Sequence, residues 1–369
     1  LTIRYSVDLL IPSIKQTSWI RKSDSGGFSD NLQVGGAPKI WEDFILLSFR
    51  WFKRLFDISV IVFNASCISA LLFFSCSSKT SQAEPNKVYP VIYRLDGAGN
   101  IPLASAVIER LQNDNRAPEV IIVAIENTNR LRDFYPTVNK EPQGPVGEGG
   151  GAATFLAFFE QELIPLVNKN YRTHDYKVIA GASAGGVFAL YALQAKPELF
   201  QAHIAYSPAV WWNYGAMVKS TKSFIAKTKG LNNYVYTNIG EEAGIMRERY
   251  DELQQSLQSH KVRELRFFSD AFDGVSHNLT SVAGAFNAYH NLFLPKQMPI
   301  SDLTDDVASI DAYYQNLSQQ WGEQIAPPDR AVRSLGYNLT GSKQFIRAIE
   351  VFKYNIKNHP KSVDALSAL

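Results

Sequence analysis

Between Val88 and Phe293, short apolar runs alternate with longer segments whose apolar positions recur every three or four residues. Val88 to Leu95, Glu119 to Ile125, Lys177 to Ala180, His203 to Tyr206, Tyr234 to Ile239 and Val262 to Phe268 are too short for helices and nearly continuous in apolar character. Apart from Val262 to Phe268, which carries Arg263, Glu264 and Arg266, such runs predict strands buried on both faces. Between them, Ala104 to Gln112, Thr154 to Asn168, the alanine-rich stretch ending before Pro197, segments from about Ala216 and Gly244, and Ser281 to Phe293 carry the helical period. In Thr154 to Asn168 that period is drawn by Phe155, Phe158, Phe159, Leu163 and Leu166. Strands alternating with helices imply a mostly parallel sheet covered on both faces, so the predicted class is α/β.

The flanks follow other patterns. Up to about Trp41 no period is sustained, and the first residue is Leu1 rather than methionine, which reads as a fragment or an unusual start. Arg50, Lys53 and Arg54 then precede an uncharged apolar run from Ile58 to Ser75, and the polar stretch Ser77 to Asn86 follows. A basic flank, an apolar run and a polar linker predict an export signal, with a buried helix as the alternative. The expected location is the bacterial periplasm or the exterior, with membrane contact only through this segment if it stays uncleaved. Lipidation at Cys76 is disfavoured by bulky Phe74.

Beyond a boundary at Leu294 to Asp306 no strand pattern remains. Val332 to Leu339 and Lys343 to Asn358 read as two helices in which Leu335, Gly336, Leu339, Ala348, Phe352 and Pro360 fall at tetratricopeptide spacing. Asn355 stands where a small apolar residue is usual, and an ordinary helical hairpin is the alternative. A second unit begins at Val363, where the expectation is a truncated repeat. The predicted organisation is a leader over 1–86, a catalytic domain over 87–296 and a helical segment over 307–369 that offers a surface to a protein partner.

Composition narrows the chemistry. The chain has 369 residues, 46% hydrophobic and 20% charged, enough apolar content for a sizeable core. A net charge of +2 without a lysine or arginine stripe disfavours nucleic acid. Both cysteines, Cys67 and Cys76, lie in the apolar leader, and the six histidines lack metal-ligand spacing, so no metal or cofactor is expected.

Candidate chemistry centres on Gly181-Ala182-Ser183-Ala184-Gly185, a G-x-S-x-G between a predicted strand and a predicted helix. In that context the serine occupies a strained turn that presents its hydroxyl above the strand end. A serine nucleophile needs a base, and the base needs an acid to fix its tautomer, in the chain order Ser, acid, His. His277 lies in a polar loop after the last predicted strand, whereas His260 ends a helix and His290 lies on one. Glu242, after the strand Tyr234 to Ile239, is the first candidate acid and Glu241 the second. Asp270 or Asp273 are alternatives, as is a Ser-His dyad. The oxyanion requires two backbone N–H donors. Ala184 supplies one, and Gly97 or Ala98, after the first strand, the other.

The runs Tyr89 to Gly97, Asn127 to Asp133, Gly181 to Gly186 and Ser207 to Trp212 resemble the esterase D-type family of α/β hydrolases, which includes siderophore esterases, feruloyl esterases, S-formylglutathione hydrolases and mycolyltransferases. The resemblance covers roughly Val88 to Phe293 and implies an α/β-hydrolase fold and cofactor-free ester hydrolysis by Ser183 and His277. Some members carry a trailing tetratricopeptide region. The family places antiparallel strands just before the Tyr-Pro-Val strand, where this chain has its apolar leader. Leu1 to Ser13 is the candidate for a displaced remnant of that hairpin.

For the ester itself, Arg132, Asp133 and Trp212, with Arg130 and Trp211, fall on loops at strand ends where pockets form. Arginines there suit an anionic or catecholate acyl group and tryptophans an aromatic wall. The alternatives are an ion pair between Arg132 and Asp133 and core filling by one tryptophan. The leading expectation is a serine esterase. Its rivals are an acyltransferase using the same acyl-enzyme and a non-catalytic interaction protein acting through its helical tail.

Overall fold

The computed structural model describes residues 58–65, 68–76, 87–259, 262–297 and 307–369. Leu1 to Ser13 and His260 lie outside the described residues.

The apolar run expected to be an export signal is folded as two strands, β1 (Ile58–Ala65) and β2 (Ile68–Cys76), paired antiparallel. Its β-branched and aromatic residues favour a pleated strand over the alternative of a buried helix. A helix-versus-strand choice in an uncharged apolar run has no periodic signature, which is why the sequence pattern does not separate the two. These are the antiparallel strands that the esterase D-type resemblance places before the Tyr-Pro-Val strand. Among the described residues no helix is long and apolar enough to cross a membrane.

The next strand, β3 (Tyr89–Leu95), leads into α1 (Gly97–Asn113), then β4 (Ile121–Asn127) and the short α2 (Arg130–Phe134). β2 pairs antiparallel with β4, and β3 lies between β4 and β5 (Thr173–Ala182). A helical stretch joins α2 to β5: α3 (Ala152–Phe158), a π turn (Phe159–Leu163) and α4 (Ile164–Asn170). The second half of the sheet continues through α5 (Ala184–Ala195), β6 (Ala202–Tyr206), α6 (Trp212–Lys227), β7 (Tyr234–Ile239), α7 (Ile245–Ser259), β8 (Arg266–Ala271) and α8 (Thr280–Phe293). The strand order is β1-β2-β4-β3-β5-β6-β7-β8, and β3 to β8 form a parallel six-stranded sheet.

Every residue of β3, β6 and β7 is buried, as the unbroken apolar runs predict for strands covered on both faces. One core layer packs Phe155, Phe159, Phe188 and Phe200 against the sheet from the α3, α5 and α6 side. The other layer packs Ile108, Tyr289, Phe293 and Trp321 against the opposite face. Several boundaries differ from the sequence pattern, two of them for reasons visible in the packing. α1 begins at Gly97, where a loop was expected, because the chain passes so close to β4 that a Cβ on Gly97 would sit 2.7 Å from the backbone carbon of Ala124. β8 starts at Arg266 rather than Val262, after a turn in which Glu264 takes φ 72° and Leu265 N–H donates to the Val262 carbonyl.

Beyond α8 a helix unforeseen in the sequence pattern, α9 (Val307–Trp321), buries Ile310, Tyr314, Leu317 and Trp321 on one face. It precedes α10 (Asp329–Gly341), α11 (Phe345–Asn358) and α12 (Val363–Ala368). α10 and α11 pack closely at Gly336, where a Cβ would lie 2.3 Å from the Phe352 ring. Asn355 is buried there and donates through Nδ2 to Asp329 Oδ1 at 2.7 Å, so an amide fills the place of the expected small apolar residue.

Candidate active site

The parallel strands deliver the chemistry-bearing residues to one edge of the sheet. Ser183 follows β5, Ser207 follows β6, Glu242 follows β7 and His277 follows β8. These four strands are consecutive neighbours, so the loops that follow them are neighbours as well.

Ser183 sits directly before α5 with φ 56° and ψ −116°, a conformation that a non-glycine residue holds only when its surroundings impose it. They do so from several directions. Its N–H donates to the Tyr206 carbonyl at 2.9 Å, and its carbonyl accepts from Val187 and Ala209 at 3.1 and 3.2 Å. The turn is so tight that a Cβ on Gly181 would lie 2.3 Å from the carbonyl carbon and oxygen of Gly185. Gly181→Ala is therefore expected to cost about 1–3 kcal/mol of stability through overpacking. It should also displace Ser183, so that denaturant midpoint and kcat fall together. An unchanged pair of values would mean that the turn relaxes freely.

Ala184 is the first residue of α5 and Gly97 the first residue of α1. Both N–H groups belong to helix first turns, whose donors lack intrahelical acceptors and carry the positive end of the helix dipole. The two turns approach each other, since a Cβ on Gly185 would lie 3.5 Å from Leu95 and from Asp96 Oδ2. The Asp96 carboxylate is held by Arg130 through Nε and Nη2 at 2.5 and 2.9 Å. Arg130 also covers the Phe134 ring at 5.6 Å, so its guanidinium serves the architecture of the strand ends.

Glu242 and His277 meet directly. His277 Nδ1 lies 2.8 Å from Glu242 Oε1, with 9% of the Glu242 side chain and 38% of the His277 side chain exposed. Glu242 Oε2 accepts from Gly240 N–H at 2.6 Å. Gly240 is itself pressed on the loop that carries the histidine, since a Cβ there would meet the Val275 carbonyl oxygen at 2.0 Å. Burial alone would raise the Glu242 pKa, but hydrogen bonds from Ser207, His277 and backbone N–H groups outweigh it and hold the carboxyl below its ordinary range.

The alternative acids have other engagements. Glu241 is exposed, and its backbone N–H donates to Val275. Asp270 accepts from Tyr236 Oη at 2.5 Å and from Asn287 Nδ2 at 2.9 Å, and Asp273 is exposed. His290 lies on α8 with its ring stacked on Phe286.

Ser207 went unassigned in the sequence pattern although it opens the run Ser207 to Trp212. Its Oγ donates to Glu242 Oε1 and lies 3.2 Å from His277 Nδ1, and the residue is fully buried at φ 37°. A serine directly after a buried strand was the available signal. Nothing in its sequence neighbourhood announces partners 35 and 70 positions away.

The residues read as substrate contacts are occupied elsewhere. Arg132 donates to Asp133 through Nε and Nη2 at 2.6 and 2.9 Å, and the Asp133 carboxylate, 3% exposed, also accepts from Asn127 at 3.0 Å. Trp212 is buried, stacked on Tyr135 with ring centroids 3.8 Å apart, and donates through Nε1 to the Thr137 carbonyl at 2.9 Å. Both arrangements match the ion-pair and core-filling alternatives. Of their neighbours, Trp211 is half-buried and Tyr214 exposed. The loop 135–151 is laced to them, since Glu141 accepts from Tyr214 N–H at 2.8 Å and Gly144 packs under Trp211. A cavity of about 380 Å³ bordered by His174, Asn233, Tyr234 and Arg266 opens at the opposite, amino-terminal ends of the strands and takes no part in this constellation.

The family described as "Putative esterase" matches residues 79–288, over half of the chain. The chain belongs to this esterase family. It is a carboxylic ester hydrolase of the α/β-hydrolase superfold. Ferri-bacillibactin esterase BesA of Bacillus subtilis is 34% identical over 208 residues, spanning 51% of this chain and 69% of that protein. The siderophore triacetylfusarinine C esterase of Aspergillus fumigatus is 29% identical over 202 residues, spanning 50% of this chain and 68% of the relative. In structure, an IroE-like serine hydrolase from Shewanella oneidensis matches with a TM-score of 0.65 at 22% identity, over 81% of this chain and 98% of the other. That likeness extends the shared fold beyond the segment matched by the family.

Proposed function

We propose that this esterase cleaves siderophore-type carboxylic esters through an acyl-enzyme on Ser183, with His277 as general base and Glu242 as the acid that orients it. The observation that carries this reading is the Glu242–His277 hydrogen bond at 2.8 Å on the strand edge where Ser183 occupies its strained turn. With Nδ1 bonded to the carboxylate, Nε2 is the ring nitrogen left to take a proton.

Ser183 Oγ attacks the ester carbonyl while His277 Nε2 removes its proton. The negative charge that forms on the carbonyl oxygen is received by the N–H groups of Ala184 and Gly97. Collapse of the intermediate breaks the ester C–O bond, and the leaving alkoxide takes the proton from His277. Water then attacks the acyl-enzyme, giving its proton to His277, and release of the acid returns that proton to Ser183. Glu242 stays ionised throughout and stabilises the imidazolium.

The relatives' activities support the substrate class. The half-buried Trp211 and the exposed Tyr214, in the segment that follows β6, offer aromatic surface suited to planar acyl groups. The test is product analysis on a catecholate siderophore ester and on p-nitrophenyl butyrate, with and without an added alcohol acceptor. Free acid from both substrates, with kcat/KM higher for the siderophore ester, is expected. Transfer of the acyl group to the alcohol in preference to water would replace hydrolysis by acyl transfer.

A further inference from the structure

We infer that Ser207 is a positioning residue for the acid–base pair: its buried hydroxyl fixes the direction of the Glu242 carboxylate and, with it, the ring plane of His277, and ties that pair to the backbone of the nucleophile. This role rests on the proposed mechanism and extends it to a residue outside the Ser-His-acid set.

A hydroxyl has one proton to give. Glu242 carries an ionised carboxylate, which only accepts, so the proton of Ser207 Oγ is committed to Oε1. The lone pairs of Oγ are then what His277 Nδ1 meets at 3.2 Å, while it meets Oε1 at 2.8 Å. A ring nitrogen placed against two acceptors must itself carry a proton. Nδ1 is therefore N–H, shared between the carboxylate and the serine oxygen, and the lone pair lies on Nε2. Without Ser207, the carboxylate would still accept from Nδ1, but its second direction and the plane of the ring would be free to shift.

The backbone around Ser207 makes that restraint rigid. Ser207 N–H donates to both the carbonyl and the side-chain Oδ1 of Asn238, at 3.0 and 2.9 Å. Asn238 Nδ2 reaches the Thr280 carbonyl at 2.8 Å, and Thr280 Oγ1 donates to the His277 carbonyl at 2.9 Å, so the histidine loop hangs on the same network. On the other side, Tyr206 and Ala209 hold the amide and the carbonyl of Ser183. The four residues from Tyr206 to Ala209 thus couple the nucleophile's turn to the acid–base pair. Ser207 also keeps φ 37° despite its Cβ, a strained conformation that persists where the surroundings over-determine it.

The experiment is a double-mutant cycle on the whole chain with p-nitrophenyl butyrate as substrate. Ser207→Ala and Ser207→Gly are each expected to lower kcat about 10- to 100-fold with KM within about two-fold, since the lost contact acts on the base and not on substrate binding. In a Glu242→Gln background, Ser207→Ala should change kcat by less than about two-fold, because a residue acting through a partner has no effect once that partner is disabled. Equal losses in the two backgrounds would overturn the role, as would wild-type kcat in both single variants at position 207. Should the alanine variant fail to fold, the glycine variant carries the same test, since glycine suits the left-handed backbone. Ser183→Ala run alongside separates the two levels: full turnover there would remove the mechanism itself, whereas its loss together with an unaffected Ser207→Ala would remove only the positioning role.

Discussion

Ser183→Ala is expected to lower kcat on p-nitrophenyl butyrate by about four to six orders of magnitude while leaving the thermal midpoint where it was. The size follows from what the substitution removes. Without Oγ no acyl-enzyme forms, and what remains is the donor pair at the starts of α5 and α1 with a base that has nothing to deprotonate but water. The unchanged midpoint follows from what it keeps. Alanine retains the Cβ and meets the same backbone strain at φ 56°, and the bonds to Tyr206, Val187 and Ala209 involve only main-chain atoms of residue 183. Steady-state kinetics and a melting curve check both halves. A variant that still turns over at the wild-type rate would remove Ser183 from the mechanism, and one that unfolds early would show the hydroxyl to be part of the scaffold.

The elbow could be read from the sequence because strand, turn and helix each leave a local mark there. Apolar Val178 and Ile179 precede Gly181, and an unbroken helical run follows Gly185. The meeting of Glu242 with His277 was legible for a topological reason: in a parallel sheet every strand's carboxyl end faces the same way, so residues just after successive strands converge whatever their sequence separation. Side-chain direction in loops has no such rule. Trp211 and Trp212 are adjacent, yet the first stays half-buried and the second stacks on Tyr135 in the core. Arg132 and Asp133 likewise satisfy each other, and nothing in their spacing distinguishes that from a pair that awaits a ligand. The hairpin at 58–76 was opaque because its signal is pure apolarity. Without a period, Ile58 to Ser75 does not distinguish a helix from two strands, and the strand pairing of β2 comes from β4, outside the segment. Ser207 belongs to the same class of tertiary information, since its role lies in partners brought to it by β7 and β8.

Glu242→Gln is expected to reduce kcat by about two to four orders of magnitude with little change in KM, and to remove a pH-dependent part of the stability. The kinetic loss comes from hydrogen-bond polarity. A glutamine can keep the bond from Gly240 N–H through its amide oxygen, which leaves its NH2 toward His277 Nδ1 and Ser207. Nδ1 must then accept, the ring proton moves to Nε2, and the base is blocked where it has to receive the serine's proton. The pH effect has a definite sign. The Glu242 pKa is lower in the folded chain than in the unfolded one, because donated hydrogen bonds outweigh its burial. Its contribution is therefore fully present above the ordinary glutamate range and is lost as pH falls through the lowered folded value. The difference in unfolding free energy between wild type and Glu242→Gln should shrink as pH drops through that window, as read from denaturant curves at a series of pH values. Wild-type kcat in the variant would leave His277 to act without this acid. Since Glu241 is exposed and Asp270 is held by Tyr236 and Asn287, a Ser183–His277 dyad would be the arrangement that remains.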